Sequence, residues 1–180
     1  MKVGIFGGSF DPIHNGHLFL AETAKKELGL DKIVFMPCYE SPYKTKRILT
    51  NIKHRLNMLS LVVNKTDYDI STIEADKKEV SYTIDTVRDL PIYFPYDELY
   101  LIVGPDGIDT FKNWLDSETI SELINVKFMN YDFHAPHINI RSTLIRDLIK
   151  KDKNIRHLVP KEVADYIEYN NLYKKENSYV

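Results

Sequence analysis

The sequence predicts an α/β fold: a doubly wound parallel sheet with helices on both faces. Three observations carry this expectation. Short apolar runs of strand length alternate with stretches of helical periodicity. The first two runs lie close enough to form one right-handed βαβ crossover. A glycine-rich turn sits where the first run gives way to the first helix. In such folds, ligands bind beyond the carboxyl ends of the strands.

Lys2 to Phe6 reads as a short strand, apolar on both faces and stopped by Gly7-Gly8. Leu18, Leu20, Ala21, Ala24 and Leu28 recur at helical spacing, and Gly29 supplies the stop. Lys32 to Met36 is a second strand ending at Pro37, which completes the crossover. The alternation continues with a helix over Ile52 to Val63, a strand over Ile70 to Ile73 and a helix from Thr83 to Leu90. Glu98 to Val103 is a strand closing at Gly104, and Val126 to Met129 is the last one. Helices follow near Ser142 to Lys150 and Lys161 to Tyr169. Pro91 and Pro95 punctuate one connection, and residues 130–140 read as an irregular loop. The expected organisation is one domain over residues 1–173, with residues 174–180 as a polar, frayed tail.

Composition narrows the function. The 180 residues are 43% hydrophobic and 28% charged, which excludes disordered, collagenous and coiled-coil chains. Cys38 is the single cysteine, so neither a disulfide framework nor a cysteine zinc site is available. A net charge of −2 gives no global field to recruit nucleic acid or an anionic membrane. The opening MKVGIFGGSFDP turns to glycine and acid too early for a leader, and no apolar run approaches a bilayer span of roughly 20 residues. The expected setting is the cytoplasm, with no nucleic-acid or membrane partner. A homo-oligomer stays open.

The chemistry concentrates in Gly7-Gly8-Ser9-Phe10-Asp11-Pro12-Ile13-His14-Asn15-Gly16-His17. Two consecutive glycines let backbone approach a bulky anion and aim N–H groups at phosphate oxygens. The helix start adds unpaired N–H donors and a positive dipole end. His14 and His17 lie three apart there, so one turn places both imidazoles on one side. No Gly-Lys-Ser/Thr follows, and the Gly-x-Gly-x-x-Gly spacing is absent. A zincin helix would need glutamate after the first histidine, where Asn15 stands. His134 and His137 have Pro136 between them, which favours a loop over a ligand pair. The residues therefore offer no resident metal site. Asp11 either shapes the glycine-rich loop or caps a helix.

This string resembles the His-x-Gly-His signature of the nucleotidyltransferase superfamily of adenylyl- and cytidylyltransferases. Its wording is similar to that of bacterial nicotinate-nucleotide adenylyltransferases. Ile140-Arg141-Ser142-Thr143-Leu144-Ile145-Arg146 resembles the second signature, with Arg141 in place of the first serine. Leu158-Val-Pro-Lys-Glu-Val-Ala-Asp-Tyr-Ile167, followed by Leu172-Tyr173, resembles the ending of the nicotinate branch. The resemblance implies a Rossmann-like fold of nucleotidyltransferase type. It also implies mononucleotide contacts from Tyr82 and Thr83, from Gly104 and Asp106, and from Trp114 stacking on a pyridine ring. Read alone, the only tryptophan is more readily a core anchor, and the resemblance brings the two readings level. Pro42-Tyr43-Lys44 resembles a Pro-His-Lys element with Tyr43 in the histidine's place; Lys44 either reaches phosphate or belongs to a solvated basic loop.

The implied reaction is transfer of an adenylyl group from ATP to nicotinate mononucleotide, with release of pyrophosphate. An acceptor phosphate is already anionic and needs no general base. The protein must position two polyanions and neutralise charge developing on the α-phosphoryl group. His14, His17, Arg146 and Lys44 are the candidate catalytic residues. Gly7, Gly8, Ser9, Phe10, Ser142 and Thr143 join Arg146 as candidate ATP and phosphate contacts. Arg146 is expected to make a bidentate clamp. Mg²⁺ is expected to travel with the phosphates, mostly hydrated, without a carboxylate cage. The alternatives are a nicotinamide mononucleotide or phosphopantetheine acceptor, or a non-catalytic nucleotide-binding regulator on this fold.

Overall fold

The computed structural model describes residues 1–43, 49–95, 97–130 and 140–174. β1 (Lys2–Gly8) leads through the glycine-rich turn into α1 (Asn15–Leu28), then β2 (Lys32–Pro37) and α2 (Ile52–Val63). β3 (Asp69–Ile70), α3 (Ile73–Lys77), α4 (Thr83–Tyr93) and β4 (Glu98–Val103) follow. A short α5 (Pro105–Ile108), a 3₁₀ turn at Phe111–Asn113, α6 (Ser117–Leu123) and β5 (Asn125–Phe128) complete the sheet region. α7 (Ser142–Lys150) and α8 (Lys161–Tyr169) close the fold. Among the described residues, the strands form one parallel sheet in the order β3-β2-β1-β4-β5.

Strand alternation explains why both faces are covered. Val3 and Ile5 of β1 join Val34, Met36, Leu101 and Val103 on one face, under Ile84, Val87 and Leu90 of α4 and Ile120 of α6. Phe6, Ile33, Phe35 and Ile102 take the other face, under α1, α2, α7 and α8. The doubly wound expectation holds. β1 is the central strand, with β2 on one side and β4 on the other, so the chain reverses its direction of winding at the carboxyl end of β1.

Several boundaries differ from those expected, each for a local reason. β1 does not stop before the glycines; Gly7 and Gly8 pair with Met36 and Pro37, because β2 runs equally far. The strand expected over Ile70 to Ile73 is only Asp69–Ile70. After Ser71 donates to the Phe35 carbonyl, Asp76 N–H donates to the Thr72 carbonyl at 2.8 Å, and Ile73 begins a helix. α4 runs past Pro91 to Tyr93, because Phe94 N–H closes the last turn on Leu90 at 2.8 Å. β5 begins at Asn125, one residue earlier than expected. Gly29 ends α1 in the left-handed conformation at φ 60°, as a terminating glycine should. Of the loop expected over 130–140, residues 131–139, with His134 and His137, lie outside the described residues, as do residues 175–180 of the expected tail.

Candidate active site

The end of β1 opens into a cleft of about 310 Å³. Its walls come from the ends of β1, β2 and β4, the start of α1, and the starts of α4 and α7. Gly7 faces open space: a Cβ built there meets no atom within 4 Å, so backbone is what the cleft sees. At Gly8 a Cβ would come within 3.0 Å of the Phe10 ring, so this glycine makes room for that ring. Phe10 has φ 46° and is 1% exposed, edge-on to Phe6, Phe35 and His17. Its ring is therefore core.

His14 is the N-cap of α1, in extended conformation, and its Nδ1 accepts from His17 N–H at 3.3 Å. The imidazoles stack with centroids 3.6 Å apart and planes within 20°, so the spacing of three brings both rings together, as the sequence predicts. With Nδ1 accepting, the neutral His14 ring carries its proton on Nε2.

Arg146, on α7, joins the two imidazoles in the cleft and brings a permanent positive charge. It is 8% exposed, and burial lowers its pKa from the ordinary arginine value, though a guanidinium stays charged in proteins. Its Nη1 donates to the Asp11 carbonyl at 2.7 Å and its Nη2 to Thr143 Oγ1 at 3.0 Å. Part of the fork is thus spent inside the protein, joining the second signature to the first. The Ser142 hydroxyl donates to the Pro12 carbonyl at 3.0 Å, a second link between the two signatures. Asp11 is fully buried and accepts from Thr50 N–H and the Tyr173 hydroxyl, so it shapes the loop and is not a helix cap.

On the opposite wall, Thr83, Gly104, Asp106 and Trp114 all face the cleft. Tyr82 does not line it; it is the N-cap residue of α4 and is 37% exposed. Arg141 reaches towards Asp106, 3.6 Å away, across an exposed edge of the cleft. Ser9 lines the cleft with its carbonyl held from behind. Lys44 lies outside the described residues.

Two further residues escape sequence reasoning. Arg55 of α2 is 1% exposed and donates to the carbonyls of Thr50, Ser9, Cys38 and Tyr39 at 2.7–2.9 Å. It ties together the loops that follow β1 and β2. Glu74 of α3 lines the cleft while buried, and accepts from the Thr86 hydroxyl at 2.7 Å. Burial pushes its carboxyl above the ordinary value, against the lowering by hydrogen bonds from Thr86 and Ser81. No pattern flags either residue, because a lone charge on a mixed helix reads as solvated surface.

A parallel-sheet switch point with glycine backbone, stacked imidazoles and a guanidinium is chemistry suited to nucleotide phosphates. The cytidylyltransferase-like family model matches residues 5–148. A probable nicotinate-nucleotide adenylyltransferase of Streptococcus mutans is 38% identical, over 96% of this chain and 89% of its own length. The nicotinate-nucleotide adenylyltransferase of Bacillus subtilis is 35% identical, over 96% and 98%. Among solved structures, Plasmodium falciparum nicotinic acid mononucleotide adenylyltransferase complexed with NaAD superposes with a TM-score of 0.78. That likeness covers 96% of this chain and 97% of the other, at 21% identity. The chain belongs to the cytidylyltransferase-like family, within its nicotinate-nucleotide adenylyltransferases. No helix among the described residues is long and apolar enough to cross a membrane.

Proposed function

We propose that this enzyme transfers the adenylyl group of ATP to nicotinate mononucleotide, giving nicotinate adenine dinucleotide and pyrophosphate in NAD biosynthesis. The observation that carries the reading is one cleft with two kinds of wall. His14, His17 and Arg146 gather at the α1 and α7 end, and Thr83 and Trp114 face the same space. Two nucleotides can therefore meet with a phosphate of each between them. The bond forms between an acceptor phosphate oxygen and the α-phosphorus, and the bond to the β,γ-pyrophosphate breaks in line. No covalent enzyme intermediate is needed.

In this reading His14 and His17 donate to the α-phosphoryl oxygens as charge builds there. The Gly7–Phe10 backbone and the free N–H groups of α7 hold phosphates, with Arg146 beside them. Lys44 adds a further cation. Thr83, Gly104, Asp106 and Trp114 seat the mononucleotide. Mg²⁺ fits the donor set as a phosphate-borne ion. No group of three or more metal-ligating side chains occurs among the described residues, and the phosphate end is lined by cations and amides. When bound it would neutralise phosphate charge. We take residues 1–173 as one nucleotidyltransferase domain working in the cytoplasm, where ATP is supplied.

The test is pyrophosphate release from ATP and Mg²⁺ with a panel of acceptors. Nicotinate mononucleotide should exceed its amide counterpart in kcat/KM by roughly one to two decades, the value of one charged hydrogen bond in a partly dry site. Equal values, or preference for the amide or for phosphopantetheine, would remove the nicotinate assignment. No turnover with any acceptor would favour a non-catalytic binder.

A further inference from the structure

Tyr43, the departure from the Pro-His-Lys element, lies against the wall proposed for the acceptor. Its ring stacks on Trp114 with centroids 5.8 Å apart and planes within 17°. Its hydroxyl oxygen accepts from Leu115 N–H at 2.9 Å. Phe111, 8% exposed, packs against the same indole from the core, with centroids 5.2 Å apart and planes tilted by 53°. The face left for an incoming ring is therefore the face under Tyr43. A third ring between the two would need about 7 Å of separation, two carbon contacts of roughly 3.5 Å each. The observed stack has no such space. Tyr43 itself is 48% exposed, so its ring can leave for solvent at little packing cost.

We propose that Tyr43 is a built-in competitor for the acceptor seat: it occupies the Trp114 face and the Leu115 N–H in the free enzyme, and nicotinate mononucleotide must displace it to bind. The contacts explain why displacement is matched to this ligand. A six-membered aromatic ring on Trp114, with an oxygen accepting from a backbone N–H, is the contact set a pyridine carboxylate would make. The tyrosine holds the seat in a shape the substrate can copy, with a stack and one hydrogen bond to be given up on exchange. This inference rests on the reading that Trp114 stacks on the acceptor ring.

The experiment measures KM for nicotinate mononucleotide, at saturating ATP and Mg²⁺, in wild type, Tyr43→Phe and Tyr43→Ala. In parallel, nicotinate mononucleotide alone is titrated against the fluorescence of Trp114, the only tryptophan in the chain. The expected result is a fall of roughly three- to tenfold in both KM and the fluorescence Kd for Tyr43→Ala. Tyr43→Phe, which keeps the ring and loses the hydrogen bond, should fall by less, and the KM for ATP should hold its wild-type value. An unchanged or raised acceptor KM in Tyr43→Ala would overturn the competitor role. So would an equal change in the KM for ATP, which would indicate general loosening of the cleft. If wild type fails to turn over nicotinate mononucleotide, the acceptor assignment falls and the Tyr43 role with it.

Discussion

At the scale of single residues, the cleft separates groups that act on charge from groups that hold backbone. His17 belongs to the first kind in the proposed reaction, since it sits on the first turn of α1 in face contact with His14. His17→Ala should therefore lower kcat by about two to three decades, the loss of one donor worth roughly 3–4 kcal/mol in the transition state. Pyrophosphate release by a folded variant decides this, and near-wild-type turnover would remove the role. Arg55 is of the second kind. Burial lowers its pKa, yet four carbonyl contacts hold the charged guanidinium in place. Arg55→Leu should cost about 3 kcal/mol, because buried carbonyls lose their donor and leucine offers none. Urea unfolding monitors the change; a midpoint equal to wild type would mean that the loops after β1 and β2 find other donors.

At the scale of elements, the long strands and helices are legible in sequence and the short connecting elements are not. β1, β2 and β4 are uninterrupted apolar runs buried on both faces, and nothing else of that length is compatible with them. The expected strand over Ile70 to Ile73 overruns the start of α3 because Ile70 and Ile73 look like a short apolar run, while the turn-forming contacts of Thr72 and Asp76 leave no periodic trace. Glu74 of this short helix reads in sequence as a solvated charge, and its burial shows only in the fold. Its carboxyl is held above the ordinary range by burial, so between that range and its raised value the folded state keeps a proton the unfolded state has lost. Stability from this group is therefore present at low pH and lost as pH rises through the window. Glu74→Gln removes the titration and can still accept from Thr86. Melting temperatures of the two proteins from roughly pH 5 to 8 should diverge in favour of the glutamine as pH rises. Parallel curves would show that α3 and α4 feel no proton at this carboxyl.

At the scale of the whole molecule, the two signatures that made the site legible are brought together from opposite ends of the chain. Arg146 and Tyr173 both reach Asp11, and Asn15 N–H donates to the Leu158 carbonyl at 3.0 Å. Sequence spacing could name these segments but not the reason for their meeting, which is that α7 and α8 pack on the same sheet face as α1. The cleft exists only when the chain is folded end to end, so a ligand that binds it stabilises the entire fold by linkage. ATP with Mg²⁺ at about a hundred times its Kd should contribute about 2.7 kcal/mol, or roughly 5–10 °C in Tm for a chain of this size. The variants should then divide. His17→Ala loses an interaction made mainly in the transition state, so its ATP-induced shift should stay near wild type although turnover falls. Arg146→Lys keeps the charge but cannot hold Asp11, Thr143 and a phosphate at once, because an ammonium lacks the planar fork. Its Tm without ligand should drop, and most of the ATP-induced shift should vanish. Thermal melts of the three proteins with and without ATP and Mg²⁺ read both effects together. A full ATP shift in Arg146→Lys would confine Arg146 to joining the chain ends, and a lost shift in His17→Ala would move His17 from transition-state stabilisation to ground-state binding.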